Sequence, residues 1–115
     1  MITNLYQKNA ERVSAHDGKG EILFRRVLDR EFSSGIDFLD YTVMPPRTTI
    51  GYHQHIGTEE VYVVLSGSGK ITLNGMEKRV FPNDVIVAFD GDWHGLENDT
   101  EEDLTILVFE GKVEK

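Results

Sequence analysis

The sequence contains no cysteine, and no apolar stretch approaches the length of a membrane-spanning helix. Without cysteine there can be no disulfide bond and no thiolate ligand, so any metal site must use nitrogen and oxygen donors. No apolar signal segment is evident between Met1 and Asp17, because the residues there are mixed and polar. We therefore expect a soluble protein, and the cytoplasm is its expected location.

Positive charge is also scarce, with 12 lysine and arginine residues against 20 aspartate and glutamate residues and a formal net charge of −8. Such a balance argues against binding to nucleic acid or to an anionic membrane surface. A chain of 115 residues has the length of one domain. We expect a single domain over residues 1–115, with its core at about residues 35–110 and an N-terminal strand or arm at residues 1–34.

Short β-forming segments separated by turn residues run along most of the chain. No segment has a convincing helical period, although residues 9–15 could form a short helix. Gly51 predicts a bend or bulge, and Asn74-Gly75 is a favoured hairpin turn. The pattern predicts an all-β sandwich or barrel with strands at residues 21–28, 37–44, 48–55, 60–65, 70–74, 76–81, 85–89 and 104–110.

Apolar side chains within these segments form the predicted core. They would line a dry interior, in which electrostatic interactions are stronger than in water. The predicted core residues are Phe24, Phe38, Ile71, Leu73, Val85, Val87, Ile106 and Val108.

Three of the four histidines lie in two short motifs that predict one metal site. His53 and His55 are two residues apart, so on a strand their imidazoles share one face. His94 comes from a separate strand after a glycine turn, and Glu59 or Glu60 could add a carboxylate. Three imidazoles and one carboxylate form a suitable ligand set for a divalent transition metal.

The first motif resembles that of the cupin superfamily. The cupin pattern is a glycine, five residues, His-x-His, three or four residues, Glu, six residues and Gly. Here His53, His55, Glu60 and Gly67 fit that spacing, and Arg47 stands in place of the first glycine. The six-residue gap before Gly67 favours Glu60 over Glu59 as the ligand.

The second motif is similar to the second cupin pattern, which is a glycine, five residues, Pro-x-Gly, two residues, His, three residues and Asn. Gly91, His94 and Asn98 fit it, whereas Asn83 replaces the first glycine and Phe89 replaces the proline. Asn tolerates positive φ. The resemblance covers roughly residues 35–110.

The resemblance implies a cupin-type double-stranded β-helix, which is a jelly-roll barrel with a metal inside. By resemblance, the metal ligands are His53, His55, Glu60 and His94. Fe or Mn suits this set best, and Ni, Zn, Co or Cu could also occupy it. Such a set would leave two coordination positions for water, substrate or dioxygen, which is typical of catalytic sites.

Several further residues have two interpretations each. Arg47 is either a solvated residue at a strand end or a substrate clamp, and Tyr62 either packs in the core or lines the cavity. Trp93 either walls the pocket mouth or covers the end of the barrel. His16 is interpreted as a surface loop residue, and the acidic run at residues 97–103 as a solvated loop.

The motifs favour a metal-dependent enzyme of dioxygenase, decarboxylase or isomerase type, acting on a small oxygen-bearing or carboxylate molecule. The only nearby candidates for a general base are Tyr62 and Glu59. The alternative is a non-catalytic cupin that binds a small molecule or a sugar. Single-domain cupins usually pair through a sheet edge, so we expect a homodimer that uses the strand at residues 21–28.

Overall fold

The computed structural model describes residues 1–114, and within that range the chain forms ten β-strands and no helix. The all-β prediction is therefore confirmed. The prediction of a short helix at residues 9–15 is wrong, because residues 11–13 form a strand that pairs with residues 22–24. The strands are β1 Glu11–Val13, β2 Ile22–Leu28, β3 Ile36–Met44, β4 Thr49–Gln54, β5 Thr58–Ser66, β6 Gly69–Leu73, β7 Met76–Val80, β8 Val85–Ala88, β9 Trp93–Glu97 and β10 Leu104–Lys112.

The strands form two antiparallel sheets. One sheet has six strands in the order β1-β2-β3-β10-β5-β8, and the other has four in the order β4-β9-β6-β7. The buried apolar side chains lie between the two sheets, including Met44, Val64, Leu96, Leu104 and Ile106. This arrangement is the predicted jelly roll. Among residues 1–114 there is no helix of the length and hydropathy needed to cross a membrane.

The six-stranded sheet is apolar on its outer surface as well as on its inner one. On β5, Tyr62 and Val64 face the core, whereas Val61 and Val63 face outward. The core assignments of Val85 and Val87 are wrong, because both side chains face the outer surface, where Val85 is 60% exposed. Strand alternation defines an outer apolar face made of Leu39, Tyr41, Val43, Val61, Val63, Leu65, Val85, Val87, Leu107 and Phe109.

A turn of the N-terminal arm packs against β4 at Gly51. The Ala15 carbonyl accepts hydrogen bonds from the Gly18 amide at 2.9 Å and the Gly51 amide at 3.1 Å. His16 and Asp17 adopt positive φ in this turn. A side chain at Gly51 would overlap the His16 carbonyl, so only glycine permits this approach. The predicted bulge at Gly51 is confirmed by the register shift between Ile50 and His53.

Candidate metal centre

Three histidine rings converge at one end of the four-stranded sheet. His53 lies on β4 and pairs directly with His94 on β9, and His55 follows β4. The Nε2 atoms of His53 and His55 are 3.2 Å apart, those of His55 and His94 are 2.9 Å apart, and those of His94 and His53 are 3.2 Å apart. The two sequence motifs therefore meet at a single point in space.

Glu60 reaches the same point from β5 of the six-stranded sheet. Its Oε1 atom is 3.3 Å from the Nε2 atoms of both His55 and His94. One ligand atom from each of His53, His55, Glu60 and His94 lies within 4.8 Å of the others. Glu59 is exposed on the opposite side of the strand, so the structure brings Glu60 rather than Glu59 into the cluster.

The spacing of the nitrogen atoms fits a metal ion with ligands at right angles. Two ligands about 2.1 Å from a metal are about 3.0 Å apart at right angles and about 3.4 Å apart in a tetrahedron. The three Nε2 separations are 2.9–3.2 Å, close to the right-angle value. The histidines therefore fit one face of an octahedron, a geometry typical of Mn and of non-haem Fe with open positions.

The hydrogen bonds of the ring Nδ1 atoms aim the lone pairs at this point. His53 Nδ1 donates to the Gly51 carbonyl at 2.7 Å, since a carbonyl oxygen can only accept. His55 Nδ1 lies 3.1 Å from Thr58 Oγ1 and 3.4 Å from the Glu110 carboxylate. His53 Nε2 is then unprotonated and presents its lone pair to the neighbouring rings, as a metal ligand requires.

The protonation states in the cluster also suit a metal. Burial lowers the pKa of His53 to about 4. Burial alone would raise the pKa of Glu60, but hydrogen bonds from His55 and His94 outweigh it and lower that pKa to about 2. A neutral imidazole and an ionised carboxylate are the forms that bind metal ions, and His53 and Glu60 are held in these forms. The hydrogen bond to Glu60 raises the pKa of His55, so a metal ion that binds there displaces its proton.

A cavity of about 190 Å³ adjoins the cluster on the Glu60 side. Its lining is part apolar and part polar, and Val13, Ala15 and His16 of the N-terminal arm contribute to it. Its polar lining residues are His16, Arg26, Asp40, Thr42, Glu60 and Tyr62. A small polar ligand in this cavity would therefore meet both apolar walls and several hydrogen-bonding groups.

Tyr62 lines the cavity, which is one of the two positions that the sequence left open for it. Its buried ring stacks on His94 with centroids 4.8 Å apart, and its hydroxyl lies 3.5 Å from His94 Nε2. Burial raises the pKa of Tyr62 well above its ordinary value, so the phenol remains protonated. The residue thus combines packing with a position beside the cluster.

Arg47 and Trp93 lie outside the cavity. The Arg47 guanidinium donates to the Asp99 carbonyl at 2.9 Å and pairs with Glu101. The Trp93 ring stacks on Tyr52 with centroids 5.4 Å apart. The structure therefore places neither residue where it could contact a ligand in the cavity.

The acidic run at residues 97–103 makes more contacts with the rest of the protein than a solvated loop would. Asn98 is fully buried, and Asp99 pairs with Arg79 at 2.5 Å. The Asn98 amide nitrogen lies within hydrogen-bonding distance of the Met44, Pro45 and Glu102 carbonyl oxygens. The loop interpretation missed these contacts because they join segments far apart in sequence.

Two functional candidates were not found from the sequence. His16 is exposed in a turn, as interpreted from the sequence, but it also stacks on His53 with ring centroids 3.5 Å apart. Arg26 lines the cavity and pairs with buried Asp40 through two hydrogen bonds of 2.8 and 3.0 Å. Strand parity could have indicated Arg26, since it shares the core face of β2 with Phe24. No local signal identifies His16, because its neighbour on β4 is distant in sequence.

Comparison with known proteins identifies the family. The family model described as a cupin domain matches residues 40–110. The chain belongs to the cupin family. All four cluster residues lie within the matched range of this cupin, whereas His16 and Arg26 lie outside it. The N-terminal segment thus adds polar groups to the cavity beyond those in the matched part of the chain.

Two of the similar proteins come from Thermotoga maritima. The "oxalate-binding protein" of Thermotoga maritima is 29% identical over 110 residues, which cover 94% of this chain and 91% of that protein. A crystal structure described as a predicted oxalate decarboxylase from Thermotoga maritima has a TM-score of 0.94 and 28% identity, and the match covers 98% of this chain and 100% of that one.

A putative sugar phosphate isomerase from Acidithiobacillus ferrooxidans has a TM-score of 0.82 and 20% identity, and the match covers 98% of this chain and 75% of that one. At this identity, the likeness shows the fold alone. It therefore supports the double-stranded β-helix without assigning a reaction to the cavity.

Proposed function

We propose that this cupin binds one divalent transition metal ion through His53, His55, Glu60 and His94, and that the ion holds a small carboxylate of the oxalate class. The observation that carries the proposal is the facial set of three Nε2 atoms 2.9–3.2 Å apart beside a cavity of about 190 Å³. Nitrogen and carboxylate donors in this geometry favour Fe or Mn.

The charges of the site support an anionic ligand. A divalent ion with the Glu60 carboxylate has a local charge near +1, whereas the whole chain has a formal charge of −8. An anion would therefore be attracted by coordination inside the cavity and not by the overall field. When bound, the ion would supply Lewis-acid polarisation of the coordinated carboxylate.

Decarboxylation is the reaction that we propose for this site. Cleavage of the carbon–carbon bond of singly protonated oxalate gives carbon dioxide and formate, and a proton ends on the formate carbon. Tyr62 is the protonated side chain beside the cluster, with its hydroxyl 3.5 Å from His94 Nε2. The name of the structurally similar Thermotoga maritima protein, a predicted oxalate decarboxylase, is consistent with this choice.

The second candidate is ligand binding without turnover. Burial keeps the Tyr62 phenol protonated, and the Glu59 carboxylate points away from the cavity. Neither of the two general bases considered from the sequence is therefore available to a ligand in the cavity. The relative named as an oxalate-binding protein favours the same alternative.

The test measures metal, binding and product in one preparation. Protein purified without chelators is analysed for metal by mass spectrometry and then titrated with oxalate by calorimetry, before and after removal of metal with a chelator. We expect about one metal per chain and oxalate binding only in the loaded form. Formate release indicates the decarboxylase, binding without formate indicates the binding protein, and metal-independent oxalate binding contradicts the proposal.

We also propose a homodimer that forms through the outer apolar face. The outer apolar face consists of ten apolar residues, of which Leu65, Val85 and Phe109 are exposed and the rest half-buried. An apolar sheet surface of this kind is typical of an interaction site. The edge of β2 that the sequence suggested is partly occupied, because β1 pairs with residues 22–24. Light scattering of Phe109→Glu should show a monomer, whereas Met76→Glu, an exposed site on the other sheet, should leave the dimer intact. A monomeric wild type would contradict this proposal.

A further inference from the structure

An ion pair lies inside the cavity, on a wall of the six-stranded sheet. Arg26 Nε is 2.8 Å from Asp40 Oδ1, and Arg26 Nη2 is 3.0 Å from Asp40 Oδ2. The guanidinium carbon lies 4.1 Å from the centre of the Phe38 ring. The planar guanidinium is therefore held in one orientation by a carboxylate along one edge and an aromatic ring on one face.

Stability alone is a weak reason for a charged pair at this position. Removing a carboxylate and a guanidinium from water costs free energy that their attraction barely repays. Asp40 is buried, and this desolvation raises the pKa of Asp40 despite the hydrogen bonds from Arg26. Apolar side chains such as Phe24, Phe38 and Val108 line the same cavity. Apolar side chains in place of the ion pair would avoid the cost of desolvation.

The pair leaves hydrogen-bond donors directed elsewhere. Arginine has five N–H groups in a fixed fork, and Asp40 accepts from only two of its nitrogen atoms. Both N–H groups of Nη1 and one of Nη2 are therefore not used by Asp40. Arg26 is partly exposed and lines the cavity, so these donors are available to an anionic ligand.

Arg26 and the metal cluster lie at different ends of the cavity. Strand pairing places Arg26 beside Asp40, Asp40 beside Val108, and Val108 beside Tyr62. Three strand spacings separate the backbones of Arg26 and Tyr62 by about 14 Å. Side chains extend into the space from both ends, so a ligand held near Glu60 and Tyr62 would present its other end to Arg26.

We propose that Arg26 determines specificity by binding an anionic group at the end of the ligand remote from the metal cluster, so that the cavity selects dicarboxylates over monocarboxylates. This inference rests on the proposed function, because it assumes that one carboxylate is held at the cluster. Asp40 and Phe38 act as positioning residues, which keep the guanidinium in place without contacting the ligand.

The experiment compares binding of oxalate, malonate, succinate and acetate to metal-loaded protein by calorimetry. For Arg26→Gln we expect the affinity for the preferred dicarboxylate to fall about 10- to 100-fold, while acetate affinity changes less than about twofold. Arg26→Lys should recover part of the loss, because a lysine keeps the charge but not the planar fork. Metal content, measured on each sample, should remain that of the wild type.

Two control variants separate direct contact from other effects. Arg25→Gln removes the neighbouring cation, which lies over the Tyr6 ring on the outer surface, and should leave all four affinities unchanged. The double variant Arg26→Gln/Asp40→Asn keeps the net charge of the cavity and avoids an unpaired Asp40 carboxylate. We expect it to show the same loss of dicarboxylate affinity as the single variant.

The outcomes distinguish this inference from the proposed function. If loaded wild-type protein binds none of the carboxylates, the proposed function fails and the inference fails with it. If the wild type binds them and the double variant retains the wild-type preference for dicarboxylates, the role of Arg26 is overturned while the proposed function stands.

Discussion

His16 lies flat against His53, with the two ring centroids 3.5 Å apart and the ring planes 7° from parallel. The other constraint on His53 is the hydrogen bond from its Nδ1 to the Gly51 carbonyl. A candidate metal ligand is therefore oriented on its face by the N-terminal arm and at its edge by its own strand. Residues that orient ligands in this way influence metal affinity without touching the metal.

Replacing His16 should weaken metal binding without removing the site. For His16→Ala we expect about a tenfold rise in the metal dissociation constant, with one ion still bound at saturation. His16→Phe preserves a flat ring against His53 and should retain most of the affinity. Competition with a coloured chelator measures both variants, and equal affinities for His16→Ala and wild type would show that the stack has no effect on His53.

The two adjacent glutamates provide a matched test of the ligand set. Glu60→Gln should reduce the metal content of purified protein to well below one ion per chain, since an uncharged amide is a poor substitute for a carboxylate ligand. Glu59→Gln makes the same chemical change at the exposed neighbouring residue and should leave metal content unchanged. Equal metal content in the two variants, measured by mass spectrometry, would remove Glu60 from the ligand set.

A methyl group at residue 51 should detach the N-terminal turn. Gly51→Ala places a Cβ atom against the His16 carbonyl, and relief of this overlap should lower the free energy of unfolding by about 1–3 kcal/mol. Gly35→Ala is the control, because its added atom meets only the Lys112 carbonyl at 3.7 Å. Urea unfolding of both variants provides the measurement, and equal stability would mean that the turn moves without cost.

The metal-free protein should lose stability as the pH falls from 6.5 towards 4. Burial lowers the pKa of His53 from 6.5 to about 4 and also lowers the pKa of His16. At these two histidines the unfolded chain binds protons that the folded chain does not, so their contribution to the free energy of unfolding rises with pH. Burial raises the pKa values of Asp40 and Glu110, which partly opposes this effect. The pKa of His55 is raised by its hydrogen bond to Glu60, so its contribution changes only above pH 6.5.

Urea unfolding of chelator-treated protein across this pH range measures the effect. The His53→Gln variant lacks the ring whose pKa is shifted most, so its stability should depend less steeply on pH than that of the wild type. An equally steep pH dependence in His53→Gln and wild type over this range would contradict the assignment of His53 as a neutral, half-buried ring.

Asn98 should prove essential for stability although it lies outside the metal cluster. Asn98→Ala removes a buried donor shared by the Met44, Pro45 and Glu102 carbonyl oxygens and should cost about 2–4 kcal/mol in the free energy of unfolding. Asn98→Asp keeps the shape but replaces the donor with an acceptor, so it should cost more than alanine. Thermal unfolding of the two variants tests that order, and the reverse order would mean that packing, not donation, is what Asn98 provides.

The sequence was informative where the chemistry is local. His53 and His55 share a strand face because of their spacing, and Asn83 adopts the positive φ expected of a residue in place of glycine. The family spacing favoured Glu60 over Glu59, and the structure places Glu60 beside His55 and His94. Each of these inferences depends on strand parity or on backbone preference within a few residues.

The sequence was uninformative where segments far apart meet. Arg47 could be a clamp or a solvated residue by its position alone, and its pairing with Glu101 depends on how the loop after β9 folds. His16 approaches His53 because the turn of the N-terminal arm packs against Gly51 on β4. Val85 has the composition of a core residue, but its outward direction follows from its pairing with Val63.

The four cluster residues come from both layers of the sandwich, three histidines from the four-stranded side and Glu60 from the six-stranded sheet. An ion bound by all four would act as a cross-link between the layers, in a chain that has no disulfide to do so. The concentration of available metal would then affect the stability of the folded protein as well as its activity. A chain starved of metal would open more often between its sheets and be degraded sooner by proteases.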